Sequence, residues 1–120
     1  MRFLSTVLCA VVTLALCLGT PRAGEKKEPK YTIKEVMEKA HKSGLWKKVA
    51  AGDAGKEDRE ELAELYVSLS ENKPPKGDEK DWKKRTGTLV KAAKAAVKEA
   101  EDGKKLKKLV NCAACHKLHK

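Results

Sequence analysis

Apolar residues recur along most of this chain at three- and four-residue intervals, the period of a helix buried on one side. Ile33, Val36, Met37, Ala40 and Gly44 form the first such stripe. It opens on Thr32-Ile33-Lys34-Glu35, a capping box in which Thr32 accepts from the first turn and Glu35 reaches back to the cap. The pattern predicts a helix from Ile33 to about Ala51, with Ser43-Gly44 as the place where it bends. After the turn Gly52-Asp53-Ala54-Gly55, the stripe Leu62, Leu65, Tyr66 and Leu69 predicts a second helix from about Glu57 to Ser70. Asn72-Lys73-Pro74-Pro75-Lys76-Gly77 then breaks the chain.

Asp78 is positioned to cap a third helix that extends to about Ala100. Its stripe is Trp82, Thr86, Leu89, Ala93, Ala96, Val97 and Ala100. The small residues Ala92, Ala93, Ala96 and Ala100 admit close approach, by a neighbouring helix or by a flat ligand. Asp102-Gly103 ends this helix, and a fourth runs from Lys104 to the C-terminus with Leu106, Leu109, Val110 and Ala113 as its stripe. No segment alternates with period two over a useful length, and no repeat or low-complexity tract interrupts the pattern. Four amphipathic helices with short connections predict an all-α fold, an antiparallel up-down-up-down four-helix bundle spanning residues 32–120.

The first residues do not belong to that pattern. Arg2 is followed by an apolar run from Phe3 to Leu18 and then by Gly19-Thr20-Pro21-Arg22-Ala23-Gly24. This reads as a cleaved secretory signal peptide over residues 1–23, and the run is short for a membrane span. Contact with a membrane is therefore expected only during export. Cys9 and Cys17 leave with it. Residues 24–31 read as a flexible, Lys-rich polar leader. The remaining chain of about 97 residues is one small domain. Its 25 basic residues face 17 acidic ones, a net charge of +8. Aromatic residues are scarce and charged ones plentiful, so the chain is short of material for a large core.

The chemistry lies at the C-terminal end. Cys112-Ala113-Ala114-Cys115-His116 is a C-x-x-C-H, the covalent attachment sequence of a c-type haem. Two thiols at fixed short spacing add across the vinyl groups of one porphyrin, and the following His supplies a neutral imidazole to the iron. At about 100° per helical residue, Cys112, Cys115 and His116 fall within an arc of about 100° on one helix face. A thioredoxin-like dithiol is the first alternative, but no strand pattern surrounds the pair. Zinc is the second, and it requires about four ligands where the mature chain has a single Cys pair. One covalent haem c per chain is the expected cofactor, with a buried haem supplying apolar surface that the core lacks.

A signal-bearing helical chain with C-x-x-C-H in its final helix resembles the class II c-type cytochromes, the cytochrome c′ group. It is also similar to short planctomycete-type secreted cytochromes, whose first helix reads like Ile33 to Lys42. The resemblance covers nearly all of the mature chain, and its one specific motif is the C-x-x-C-H. It implies an exported, periplasmic haem protein whose function turns on the helix 1 residue that faces the iron. A large apolar residue there leaves an open, five-coordinate site for small gases such as NO or CO. A Met gives a closed, low-spin electron-transfer site. This chain has Met37 at that position, so the resemblance implies His116 and Met37 as iron ligands, with His41 as the alternative distal ligand. Some cytochromes c′ dimerise through helices 1 and 2, so both monomer and homodimer stand open.

The resulting expectation is a one-electron carrier that is not an enzyme, since no acid/base constellation stands beside the expected pocket apart from His41. Its partners are a redox protein, with an acidic surface suited to Lys105 and Lys108, and the haem-attachment machinery. Nucleic acid is not expected, because no recognition motif accompanies the positive charge. His119, one turn beyond His116, is expected at the surface or beside a propionate, and Trp82 is the aromatic residue best placed to touch a ring.

Overall fold

Thr32 starts the folded chain as its side chain predicts. Its hydroxyl accepts from the Glu35 amide at 3.2 Å, and the Thr32 amide donates to the Glu35 carboxylate at 2.8 Å. The structure, a computed structural model, describes residues 28–120. The expected signal peptide, Cys9, Cys17 and most of the polar leader lie outside the described residues. Among the described residues the secondary structure is entirely helical. Helix α1 spans Ile33–Val36 and continues without a break into a π-helical turn, Met37–Lys42. Helices α2 (Leu45–Ala51), α3 (Lys56–Glu71) and α4 (Glu79–Lys98) follow. A 3₁₀ segment, Ala100–Lys105, leads into the short α5 (Leu106–Leu109) and then α6 (Cys112–His119). No helix among the described residues is long and apolar enough to cross a membrane.

Two of the four expected helices are continuous, and two are divided. The first expected helix ends at Gly44, which takes a left-handed backbone with φ +80° and caps α2. Glycine reaches that conformation without the Cβ clash other residues meet. The Ser43 hydroxyl also donates to the Lys39 carbonyl, which ties up an acceptor freed by the widened turn. The expected C-terminal helix is broken at Val110–Asn111, both in non-helical conformations. Asn111 caps α6 by accepting from the Ala114 amide at 3.0 Å. The break re-aims the stripe assigned to that helix. Leu106 remains fully buried, whereas Leu109 is 37% exposed and Ala113 faces solvent.

The core is formed by Val36, Val49, Leu62, Leu65, Tyr66, Leu69, Trp82 and Leu106, with small residues at the closest approaches. Each large side chain contributes roughly 1.5–3 kcal/mol by leaving water. The α4 alanines serve helix packing: Ala92, Ala93 and Ala96 are buried in the core, and Arg59 of α3 donates to the Ala96 carbonyl at 2.8 Å. Lys30 and Tyr31, assigned to the leader, are tied to α3. Lys30 pairs with Glu64 at 2.5 Å, and the Asn72 side chain donates to the Tyr31 carbonyl at 2.8 Å.

His119 corrects the expectation of a surface residue. It is 4% exposed and pins the end of α6 to the start of α4. Nδ1 lies 2.9 Å from the Lys76 carbonyl and Nε2 lies 2.9 Å from the Asp81 carboxylate. The edge of Trp82 packs on the same ring, with centroids 5.3 Å apart. Trp82 itself is buried and donates from its indole to the Asn72 carbonyl at 2.9 Å, so it belongs to this anchor. The other residues of α6 are exposed or half-buried, which leaves the C-x-x-C-H side of the helix open to a cavity.

Candidate cofactor site

Helix α6 begins at Cys112 itself, so the whole C-x-x-C-H is helical and its three functional side chains share one face. All three line a cavity of about 370 Å³. That is within the usual range of about 300–1,000 Å³ for small-molecule and cofactor pockets. The walls come from four other directions: Met37 and His41 from the π-helical turn, Leu69 from α3, Arg85, Thr86, Thr88 and Leu89 from α4, and Lys108 to Asn111 from α5 and the break after it. The sequence-derived residues Cys112, Cys115, His116, Met37 and His41 are thus brought together around one space.

Met37 and His41 reach it from the same wall because side chains four apart lie about one turn on from each other and share a helix face, in a π-helical turn as in an α-helix. Such π-helical turns occur disproportionately at functional sites.

The two imidazoles differ. His116 is exposed, whereas His41 is half-buried, with its ring set between Trp46 and Tyr66 at centroid distances of 6.1 and 5.8 Å. Burial holds His41 below its ordinary pKa, and the charge on His116 lowers it further. Its Nε2 is sealed from solvent and has no hydrogen-bond partner. The Tyr66 hydroxyl is sealed and unpartnered too, and burial, with a smaller contribution from Cys112, pushes its pKa well up. A buried polar group left unpaired costs about 1–3 kcal/mol. His41 lines the cavity, so its unpaired nitrogen marks a place that a further group completes.

Cys112 and Cys115 are free thiols, the first exposed and the second half-buried. Burial pushes the Cys115 thiol up, and the Arg85 guanidinium partly offsets this. Among the described residues no group of three or more His, Cys, Asp and Glu side chains converges to hold a bare metal ion. The motif residues instead spread along a helix face, as attachment to the edge of a plate requires. The donor set and the unpaired imidazole nitrogen fit a haem held by two thioethers and an axial His.

Arg85, Thr88 and Asn111 were not foreseen as lining residues. Arg85 lines the cavity and donates from Nε to Asp81 at 2.7 Å, which orients the guanidinium. The Asp-x-x-x-Arg spacing on one helix was the available signal. Lys108 also lines the cavity, while Lys105 is paired with Asp102 at 2.9 Å. Compared with protein-family models, with curated proteins and with solved structures, the chain matches none.

Proposed function

We propose that this protein is an exported monohaem c-type cytochrome that carries single electrons. The observation that carries this reading is the convergence of Cys112, Cys115 and His116 with Met37 and His41 on one cavity. Cys112 and Cys115 would hold the haem as thioethers, and His116 would be its proximal ligand. A side chain of the π-helical turn, Met37 or His41, would close the second axial position. When bound, the haem supplies an iron centre that alternates between two oxidation states.

The chain's own residues act as a rigid mount. The His119 anchor fixes α6 and with it the direction of His116. Leu69, Leu89, Leu109 and Val110 give the cavity apolar walls, and Arg85 and Lys108 bring positive charge suited to propionates. The class II four-helix bundle belongs to the same proposal, supported by the stripes of α3 and α4 and the core they share with α1, α2 and α5. Export is supported by the signal-like residues 1–23, since attachment of this kind takes place outside the cytoplasm in bacteria. A redox protein with an acidic surface is the proposed partner.

Reductive titration of the purified protein tests the carrier role. The expected result is a reversible one-electron transition between two low-spin forms, with no carbon monoxide bound by the reduced protein. A high-spin protein that binds carbon monoxide freely would replace the carrier with a gas-binding protein.

A further inference from the structure

We infer that His41, and not Met37, closes the sixth coordination position, so that the iron is held between two histidines. The inference rests on the haem reading above and decides between the two side chains that the π-helical turn presents to the cavity.

The two candidates differ in what they need. Met37 is half-buried and packed against the core, and a thioether in such a place is satisfied by packing alone. His41 is not satisfied. Its Nε2 is out of reach of water and lacks any hydrogen-bond partner within the protein. A neutral imidazole nitrogen offers one of two things, a proton to donate or a lone pair to give. Among the groups a haem brings to the cavity, the iron is the one that takes a lone pair. Ligation therefore removes an unpaired buried group at His41 and removes nothing at Met37.

Position supports the same choice. The ring is held between Trp46 and Tyr66, both tilted by 39° against it, so its orientation is limited before any ligand arrives. His41 and His116 both line the cavity that contains the Cys pair. Ala40, the neighbour of His41 in the turn, is fully buried and fixes the turn against the core.

Absorption and paramagnetic resonance spectra of the secreted haem-bearing protein, and of its Met37→Leu, His41→Ala and His41→Met variants, test the inference. The wild type is expected to be low-spin and to lack the weak near-infrared band of Met-ligated ferric haem. Met37→Leu should leave this spectrum unchanged. His41→Ala should become high-spin, bind carbon monoxide when reduced, and return to low-spin on addition of free imidazole. His41→Met should stay low-spin, gain the near-infrared band and shift to a higher reduction potential, because a thioether favours the reduced iron relative to a second imidazole. That variant keeps the test decisive where His41→Ala does not accumulate. A near-infrared band in the wild type that Met37→Leu abolishes overturns the inference and leaves the haem reading intact. A five-coordinate wild type overturns it too. A secreted chain without haem overturns both.

Discussion

Secreted protein with alanine at both Cys112 and Cys115 is expected to carry no covalent haem and to melt more than about 10 °C below the haem-bearing wild type. The two thiols line the cavity, and among the described residues they are the only cysteines. A haem seated in the cavity takes its apolar faces out of water on folding, and at about 25 cal/mol per Å² each 100 Å² so buried is worth about 2.5 kcal/mol. In a domain of this size each kcal/mol is worth about 4–8 °C in Tm. The cavity adds a second reason. Without a haem it leaves Leu69, Leu89, Leu109 and Val110 around unfilled space, and the His41 Nε2 without a partner. The single variants should each retain one thioether. Acidified acetone, which extracts haem that is not covalently held, checks the first part, and circular dichroism melts check the second. Colour that stays with the double variant after extraction would contradict the assignment of these thiols.

The second large effect is expected far from the cysteines. Gly103 is buried in the 3₁₀ segment, where a Cβ would overlap the backbone carbonyl of Val49. Val49 and Ala50 of α2 are core residues, so that carbonyl has little freedom to retreat. Gly103→Ala is expected to cost about 1–3 kcal/mol by overpacking, and therefore to lower Tm by about 4–24 °C. Gly87 is the internal control. It lies in the interior of α4, its backbone is helical, and a Cβ there meets nothing within 4 Å. Gly87→Ala should raise stability by about 0.5–1 kcal/mol through the entropy that glycine loses in a helix. Urea melts of the two variants check the contrast. Equal destabilisation by both would mean that the close approach of the 3₁₀ segment to α2 is not a feature of the fold.

Much of the architecture was legible because its causes are local. The capping box at Thr32 and Glu35, the Asp78 cap and the stripes of α3 and α4 are read from neighbours within one or two turns. The chain also announced the bend at Ser43-Gly44, since glycine is the residue that takes φ +80° at low cost. The π-helical turn had no such signature, because Met37 to Lys42 could equally continue an α-helix. Met37 and His41 stand one turn apart in either kind of helix, so both were legible as candidate ligands although the wider turn was not.

The break before the Cys pair was missed for a different reason. Leu106, Leu109, Val110 and Ala113 keep helical spacing across it, so periodicity argued for continuity. Asn111 carried the contrary signal, because asparagine before a helix start is a strong cap. His119 could not be read locally at all. Its partners Asp81 and Lys76 lie 38 and 43 residues away, and its burial depends on how α6 meets the start of α4. The cavity is likewise a product of elements distant in the chain, although the motif that defines its chemistry is visible in five residues.

The intact mass of the wild-type protein, expressed with a working haem-attachment system, decides whether Cys112 and Cys115 carry a haem. The expected mass is that of the mature polypeptide plus one haem, with no thiol left to react with an alkylating reagent. The polypeptide mass alone, with two reactive thiols per chain, would contradict it.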